Sequence, residues 1–194
     1  MSALTPTPAQ TVGPFFHYAL PFEGDRDLVP ASSPDAIRLF GTVTDGAGDP
    51  IPDALVEIWQ ANPDGSIPRE PGSLRRNGFG FTGFGRASSG RDGVYSFSTV
   101  LPGPTSAGAA PFFAVTVFAR GLLHRLFTRA YLPAGAPGAT DEALAADRLL
   151  AALEPARRAT LIAAAEPGGY RFDVRLQGAD ETVFLNFNGV GTED

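Results

Sequence analysis

The sequence predicts an all-β fold, a two-sheet β-sandwich with an extended N-terminal arm and a short helical insertion near the C-terminus. First, the 194 residues include 18 prolines and 23 glycines, which indicate many turns. Second, several segments alternate apolar and polar residues with the two-residue period of half-buried strands. Third, helical patterns are confined to one stretch near the end. The length is that of one domain, so we expect residues 1–194 to form a single sandwich domain.

Residues 1–36 are predicted to be an extended arm. They are rich in proline and include the segment Thr11-Val12-Gly13-Pro14-Phe15-Phe16, in which proline and glycine oppose helix formation. The aromatic residues of this arm indicate that it lies against a surface.

The first strands are predicted after the arm. Ile37 to Thr44 alternates, turn residues fill 45–50, and Ala54 to Trp59 resumes a strand, which predicts a hairpin. Residues 66–90 are expected to be a long loop rich in glycine and arginine, in which the pair Arg75-Arg76 is interpreted as solvated. Further strands are predicted at Gly93–Thr99, Phe112–Ala119, Leu126–Tyr131, Tyr170–Leu176 and Val183–Phe187. The segment 112–119 is apolar on both faces and is therefore expected to be central.

The helical insertion is predicted at residues 138–166. Thr140 is a suitable N-cap, and the acidic residues Asp141 and Glu142 suit the positive end of a helix. Pro155 is expected to end this helix and to start a second one, because proline is favoured at the first helical position.

Charge and composition exclude several functions. The net charge of −6 and the pI near 4.9 argue against a nucleic-acid partner. The absence of cysteine excludes disulfides, thiolate zinc sites and cysteine nucleophiles. The sequence shows neither a signal peptide nor an apolar run of membrane-spanning length, so we expect a soluble, cytoplasmic protein. The positive charge resides on arginine, whose fork-shaped guanidinium suits anionic small molecules.

Six segments, in this order, resemble the intradiol ring-cleavage dioxygenase family. They are Thr7–Phe15, Val56–Asn62, Phe84–Arg86, Val100–Gly103, Phe118–Gly121 and Tyr170–Gly178, and together they extend over almost the whole chain. The resemblance implies a β-sandwich that takes part in O2-dependent cleavage of a catechol ring between its two hydroxyl-bearing carbons. Some members are built from homologous α and β subunits with the active site at their interface. The Phe-Ala-Arg-Gly segment and the long arm resemble the α type.

The resemblance also defines where iron ligands would stand. In the iron-bearing subunit, two tyrosine phenolates and two histidines hold Fe(III), a hard ion that phenolate oxygen suits. This sequence has Ile67, Thr105, Phe112 and Ala114 at those positions, and its two histidines, His17 and His124, form no paired motif. We therefore expect no metal ligand in this chain. The Fe(III) of the complex is expected in a homologous β subunit, within a hetero-oligomer of αβ protomers.

No catalytic residue is predicted, but the resemblance implies substrate-binding residues. Arg120, in the Phe-Ala-Arg-Gly segment, is expected near the partner's active site, where it would attract the carboxylate of protocatechuate or a closely related catechol. Thr11, Gly13 and Pro14 are expected to line the same pocket, since glycine permits close approach and proline fixes the chain's course. The alternatives are an interface salt bridge for Arg120 and an arm that only joins subunits.

Two other classes remain open on the sequence alone. The turn at 45–50 and the strand at 54–59 also occur in prealbumin-like sandwich modules that bind proteins, although those modules are much shorter and lack the arm. A self-sufficient enzyme of different chemistry is the other. It has no support from a Ser–His–Asp set, a histidine pair or a phosphate-binding loop.

Overall fold

A computed structural model describes residues 13, 16–69, 76 and 80–186. The strands of this part are β1 (Ile37–Thr44), β2 (Leu55–Gln60), β3 (Phe84–Ser88), β4 (Val94–Thr99), β5 (Phe112–Phe118), β6 (Leu126–Tyr131), β7 (Ala164–Glu166), β8 (Gly169–Arg171) and β9 (Val174–Arg175). Its helices are α1 (Phe16–Ala19), α2 (Asp141–Ala146), α3 (Arg148–Ala151) and α4 (Pro155–Ala159). One sheet has the order β4-β1-β8-β7, with β9 also paired to β1, and the other has the order β3-β2-β5-β6. The predicted two-sheet sandwich is confirmed.

The apolar alternation of the strands builds the core between the sheets. One sheet contributes Leu39, Val43, Tyr95 and Phe97, and the other contributes Val56, Ile58, Phe113, Val115 and Val117, all of them buried. Each such side chain contributes roughly 1.5–3 kcal/mol when it leaves water. The two-residue period therefore determines which face of each sheet is internal.

Strand β5 lies between β2 and β6, which confirms its predicted central position. Its alternate residues Phe113, Val115 and Val117 are buried between the sheets. The residues between them, from Phe112 to Phe118, point to the opposite side and are half-buried. The second apolar stripe thus belongs to an outer surface rather than to the core.

The predicted hairpin of β1 and β2 is wrong, because these strands belong to different sheets. Strand β1 pairs with β4, and β2 pairs with β3 and β5. Asp45 does form the expected turn, since its Oδ1 accepts N–H groups of Ala47 and Asp49 at 2.9 Å. Pro50 and Pro52 then remove two backbone donors, so the ladder does not continue and the chain crosses to the other sheet.

The prediction of a loop over residues 66–90 is wrong at its end, where Phe84–Ser88 form strand β3. It is an edge strand paired with β2, and its composition, Phe-Gly-Arg-Ala-Ser, obscured it. Gly85 lets the side chain of Leu28 pack closely, because a Cβ at this position would lie 2.3 Å from Cδ1 of Leu28, which would then have to move. Leu28, from the arm, is thereby buried in the core.

Residues 25–28 of the arm close one side of the sandwich. Arg86 of β3 donates its N–H to the carbonyl of Asp25 at 2.9 Å, and Ser98 of β4 donates to the carbonyl of Arg26 at 3.0 Å. The arm therefore covers edge strands of both sheets, which would otherwise present unpaired backbone groups.

The arm is not extended throughout, because α1 interrupts it. Leu20 donates its N–H to the carbonyl of Phe16 at 3.0 Å, which closes one helical turn. The four residues Phe16–Ala19 contain neither proline nor glycine, and Pro21 follows shortly afterwards. The turn also places Phe16 against the sheet, where it is buried.

The helical insertion is confirmed, but it has three short helices rather than two, and its predicted last residues, Ala164–Glu166, form strand β7. Oγ1 of Thr140 accepts the N–H of Ala143 at 3.1 Å, as the predicted N-cap requires, and Pro155 begins α4. An additional cap, Asp147, separates α2 from α3. Leu144, Leu150 and Leu161 from this region pack on Tyr131 of β6. Among the described helices, none has the length and apolarity needed to cross a membrane.

The predicted strand 170–176 is divided into β8 and β9. Between them Phe172 donates its N–H to the carbonyl of Phe40 at 2.7 Å, and its own carbonyl accepts the hydroxyl of Tyr95. Gly41 leaves the space for this carbonyl, since a Cβ there would lie 1.8 Å from it. The predicted strand at 183–187 is reduced to one bridge between Leu185 and Phe127, and residue 187 lies outside the described part.

Candidate functional site

The candidate site is the outer face of the four-stranded sheet. We define it as the surface formed by alternate residues of β2, β5 and β6 that point away from the core: Glu57, Trp59, Phe112, Ala114, Thr116, Phe118, Phe127 and Arg129. Strand register orders this surface, because Trp59 stands opposite Ala114 and Ala114 opposite Arg129. Phe112 and Ala114 mark its ligand-position end. Phe118, at the other end of β5, marks its arm end.

An arginine occupies the ligand-position end. The guanidinium carbon of Arg129 lies 4.2 Å from the ring centroid of Phe112. Its Nη1 donates to the hydroxyl of Tyr131 at 3.0 Å, and that hydroxyl donates to Oδ1 of Asp147 at 3.0 Å. Asp147 also accepts the N–H groups of Leu149 and Leu150. A cation stacked on a ring and held by a buried network thus stands beside the positions where the family resemblance implies imidazoles.

The loops bearing the two expected tyrosine positions meet behind this end. The N–H of Gly103 donates to the carbonyl of Asn62 at 2.9 Å, and Gly65, with φ +85°, packs against Pro104. Ile67 and Thr105 follow these contacts on the two loops, and both are exposed. The structure therefore brings together the loops that the resemblance pairs, without phenolate donors on either.

The residues at the four ligand positions do not fit a ferric ion. Isoleucine, phenylalanine and alanine offer no donor atom, and threonine offers only a neutral hydroxyl. Within the described ranges, no three His, Cys, Asp or Glu side chains come together as a metal site. The positive charge of Arg129 also repels a cation at this end.

Tyr131 is not a substitute phenolate. Its burial raises its pKa from 10.0 to about 12, although the hydrogen bond from Arg129 acts in the opposite direction. The hydroxyl therefore remains protonated at neutral pH and donates to Asp147.

At the arm end Arg120 is exposed and forms an ion pair. Its Nη2 lies 2.6 Å from Oδ2 of Asp53, and the two side chains are 64% and 14% exposed. The ring of Phe16 lies 6.5 Å from that of Phe118, two residues before Arg120. The arm and the predicted arginine thus meet at one end of the outer face.

Of the predicted arm residues, Gly13 alone is described, and Thr11 and Pro14 lie outside the described residues. Gly13 has φ +77°, a backbone conformation that glycine adopts without strain, and nothing lies within 4 Å of the position its Cβ would take. It precedes Phe16 by three residues, a span of at most about 11 Å.

The separation of the two ends limits what Arg120 can serve. Phe118 ends β5 six residues after Phe112, about 20 Å along the strand, and Arg120 lies in the turn beyond it. An arginine side chain is far shorter than this. Arg120 therefore does not reach the ligand positions of its own chain.

Residues that the sequence interpretation missed anchor the arm. Glu57 and Arg86 form a buried ion pair of 2.6 Å, and Nη1 of Arg86 donates to the carbonyl of Leu20 at 2.7 Å. Arg76, which was expected to be solvated, donates to carbonyls of Gly24, Asp25 and Phe84. Glu57 stands between Val56 and Ile58, and this acidic residue within an apolar strand was the one sequence signal for an ion pair at the outer side of β2.

A family model with the description Dioxygenase matches residues 13–114, slightly more than half of the chain. Together with the relatives below, this shows that the chain belongs to the intradiol dioxygenase family. The resemblance seen in the ordered segments is thereby confirmed.

Within the family the chain is similar to protocatechuate 3,4-dioxygenase subunits. It is 40% identical to the alpha chain from Burkholderia cepacia, over 96% of this chain and 100% of that protein. It is 36% identical to the alpha chain from Pseudomonas putida, over 95% of this chain and 98% of the relative. It is also 30% identical to the beta chain from Burkholderia cepacia, over 90% of this chain and 77% of the relative.

A solved structure supports the fold. The dioxygenase domain of a dioxygenase carbohydrate-binding protein fusion from Streptomyces sp. SirexAA-E superposes with a TM-score of 0.52 at 27% identity, over 90% of this chain and 100% of that one. Catechol 1,2-dioxygenase from Acinetobacter sp. ADP1 shares the fold at 19% identity with a TM-score of 0.51, over 77% of this chain and 55% of that one.

Proposed function

We propose that this chain is the iron-free, alpha-type subunit of a protocatechuate 3,4-dioxygenase and that it shapes an active site whose Fe(III) is held by a homologous beta subunit. The complex cleaves the catechol ring of protocatechuate between its two hydroxyl-bearing carbons with O2, giving 3-carboxy-cis,cis-muconate. It acts in the cytoplasm as a hetero-oligomer of αβ protomers. The observation that carries the proposal is the ligand-position end, where a chain 40% identical to an alpha chain has no donor set for iron.

The alpha-type subunit contributes to the partner's pocket rather than to its own. Arg120 is exposed in the turn beyond the arm end of β5, and Phe112 lies at the opposite end of that strand. Its guanidinium is suited to the carboxylate of protocatechuate, and the neighbouring arm, through Thr11, Gly13 and Pro14, lines the same pocket. Both proposals require a second subunit to dock at this end.

The prealbumin-like binding module is not supported. The family model matches the dioxygenases, and the similarity to the alpha chains extends over the arm, the sandwich and the helical insertion. A short binding module would account only for the turn and strand of residues 45–59, and not for the rest of the chain.

The test of the proposal is Arg120→Ala in the assembled αβ complex, compared on two substrates. Truncating one member of a desolvated charge pair typically costs about 2–5 kcal/mol. The low end corresponds to roughly a 30-fold rise in KM for protocatechuate. Plain catechol lacks the carboxylate, so its kcat/KM should change little.

Arg125→Ala is the matched control, because Arg125 is an exposed arginine five residues further along the chain. It should leave both substrates unaffected. Equal losses on both substrates in Arg120→Ala, together with weaker assembly in size-exclusion chromatography, would instead assign Arg120 to the subunit interface.

A further inference from the structure

We propose that Asp53 is a positioning residue, which orients the guanidinium of Arg120 toward the carboxylate of a substrate in the partner subunit. This inference rests on the proposed function, because it assigns to Asp53 an effect on the same substrate contact. It concerns a residue with no expected role in the sequence.

The end of the β2–β5 ladder is the first support. Leu55 stands opposite Phe118 in the last pair of this antiparallel ladder. Asp53 precedes Leu55 by two residues and Arg120 follows Phe118 by two, and both lie in turns. Their charged atoms are 2.6 Å apart. The end of the ladder thus brings the two turns together, although neither residue is part of it.

The backbone on both sides of Asp53 is fixed. Oγ of buried Ser89 accepts the N–H of Ala54 at 2.9 Å and donates to the carbonyl of Ile51 at 2.7 Å. The N–H of Ser89 in turn donates to the carbonyl of Ala54 at 2.8 Å. Asp53 lies between these anchored residues with its carboxylate mostly buried, so it is a rigid point of attachment.

Arg120 lacks such support of its own. It lies in a turn just beyond β5, where Gly121 has φ +87° and Leu122 donates to the carbonyl of Ala119 at 3.3 Å. Its side chain is largely exposed, and its contact with Asp53 uses one terminal nitrogen. A guanidinium has five N–H donors in a planar fork, and the exposure of Arg120 leaves donors accessible to a second carboxylate.

Two opposite effects of Asp53 on substrate binding are distinguishable by sign. If the carboxylate orients Arg120 before the substrate arrives, its removal weakens binding, because the freed side chain must be ordered on binding. If it competes with the substrate for the guanidinium, its removal strengthens binding. The rigidity of Asp53 and the spare donors of Arg120 favour the first effect.

The test is Asp53→Asn in the αβ complex, assayed with protocatechuate and with catechol. Loss of orientation of one long side chain corresponds to roughly a 2- to 12-fold rise in KM for protocatechuate. The kcat for protocatechuate and the kcat/KM for catechol should not change. Asp53→Glu keeps the charge and should recover part of the loss. In the Arg120→Ala background, Asp53→Asn should have no further effect.

Asp180→Asn is the control, since it removes the same charge from an exposed pair with Arg175. A lower KM for protocatechuate, equal losses on both substrates, loss of assembly, or an additive effect with Arg120→Ala would overturn the assignment. If Arg120→Ala is selective for protocatechuate and Asp53→Asn is not, the role of Asp53 fails alone. If Arg120→Ala is not selective, the substrate role proposed for Arg120 fails with it.

Discussion

At the ligand-position end of the outer face, Arg129 stacks on Phe112 and donates to Tyr131, within a network that Asp147 completes. At the arm end of the same face, Arg120 projects from a turn and contacts the protein through Asp53. Arg129 lies on β6 and Arg120 in the turn beyond β5, and they differ in what surrounds them. The side chain of Arg129 stacks on a ring and is 35% exposed, whereas that of Arg120 is 64% exposed, so more of the Arg120 guanidinium faces solvent.

Under the proposed function, the comparison indicates how an iron-free subunit keeps a functional face. Where the donor atoms are missing, aromatic and arginine side chains fill the space, and the helical insertion supports them through Tyr131 and Asp147. Where the arm crosses the sheet, the exposed cation remains. The absence of iron donors at the four ligand positions is thus compatible with the contribution that we propose for the arm end.

The largest effect that separates the two ends concerns iron. The chain purified alone should bind no stoichiometric Fe(III) and should be colourless, because Phe112 and Ala114 provide no donors and Arg129 repels a cation. The αβ complex, prepared in the same way, is the control and should show the colour of phenolate-to-iron charge transfer. Elemental analysis decides the question, and one iron per isolated chain would contradict the assignment of the ligand-position end.

The sequence predicts the layers of the fold more reliably than the connections between them. The alternation in β1, β4 and β5 reflects burial on one side, a local property that the two-residue period reports directly. Whether β1 pairs with β2 depends on the course of the chain after Asp45. Pro50 and Pro52 lack backbone N–H donors, so β2 does not pair with β1, the strand nearest to it in the sequence. The short edge strand β3 was not predicted because its Gly85 gives no strand signal, and Gly85 packs closely against Leu28, a residue far away in the sequence.

The site shows the same division. The resemblance predicts a role for Arg120, since its segment is contiguous, and this role stays a prediction. Asp53 and Arg86 had no comparable pattern, because their ion pairs, and the contact of Arg86 with the arm, arise from the tertiary structure. Such contacts join residues that are distant in the sequence. A local residue pattern does not predict contacts of this kind.

A second effect, on stability, sharpens the role of the arm end. Arg86→Ala leaves Glu57 as an unpaired, mostly buried carboxylate and removes the donor to the carbonyl of Leu20. In the wild type the side chains of Arg86 and Glu57 are only 11% and 17% exposed. Breaking a buried pair by removing one partner costs about 3–5 kcal/mol. The free energy of unfolding of the purified chain, measured in urea by the fluorescence of its single tryptophan, Trp59, should fall by that amount.

Arg171→Ala is the comparison, because its pair with Asp173 is exposed on both sides. Exposed pairs contribute about 0–1 kcal/mol, so this variant should unfold near the wild-type midpoint. Similar losses in the two variants would mean that the arm end is not anchored by a buried ion pair.

The smallest effect tests the network at the ligand-position end through its pH dependence. Tyr131→Phe removes the hydroxyl between Arg129 and Asp147, and a hydrogen bond of this kind contributes roughly 1 kcal/mol at neutral pH. Burial raises the pKa of Tyr131 from 10.0 to about 12, so the folded chain holds the proton more tightly than the unfolded chain. The stabilisation is therefore fully present below pH 10.0 and decreases as the pH rises toward about 12.

Between those two values, the wild type should lose about 1.4 kcal/mol per pH unit relative to Tyr131→Phe. Tyr95, whose pKa is also raised by burial, titrates identically in both proteins, so the difference between them isolates Tyr131. Urea unfolding at intervals from pH 8 to about 11 should show the wild type more stable at first and the two curves meeting near the upper limit. If the difference in unfolding free energy between the two proteins stayed constant across this range, the hydroxyl of Tyr131 would not be buried in the network. The ligand-position end would then be as open to solvent as the arm end.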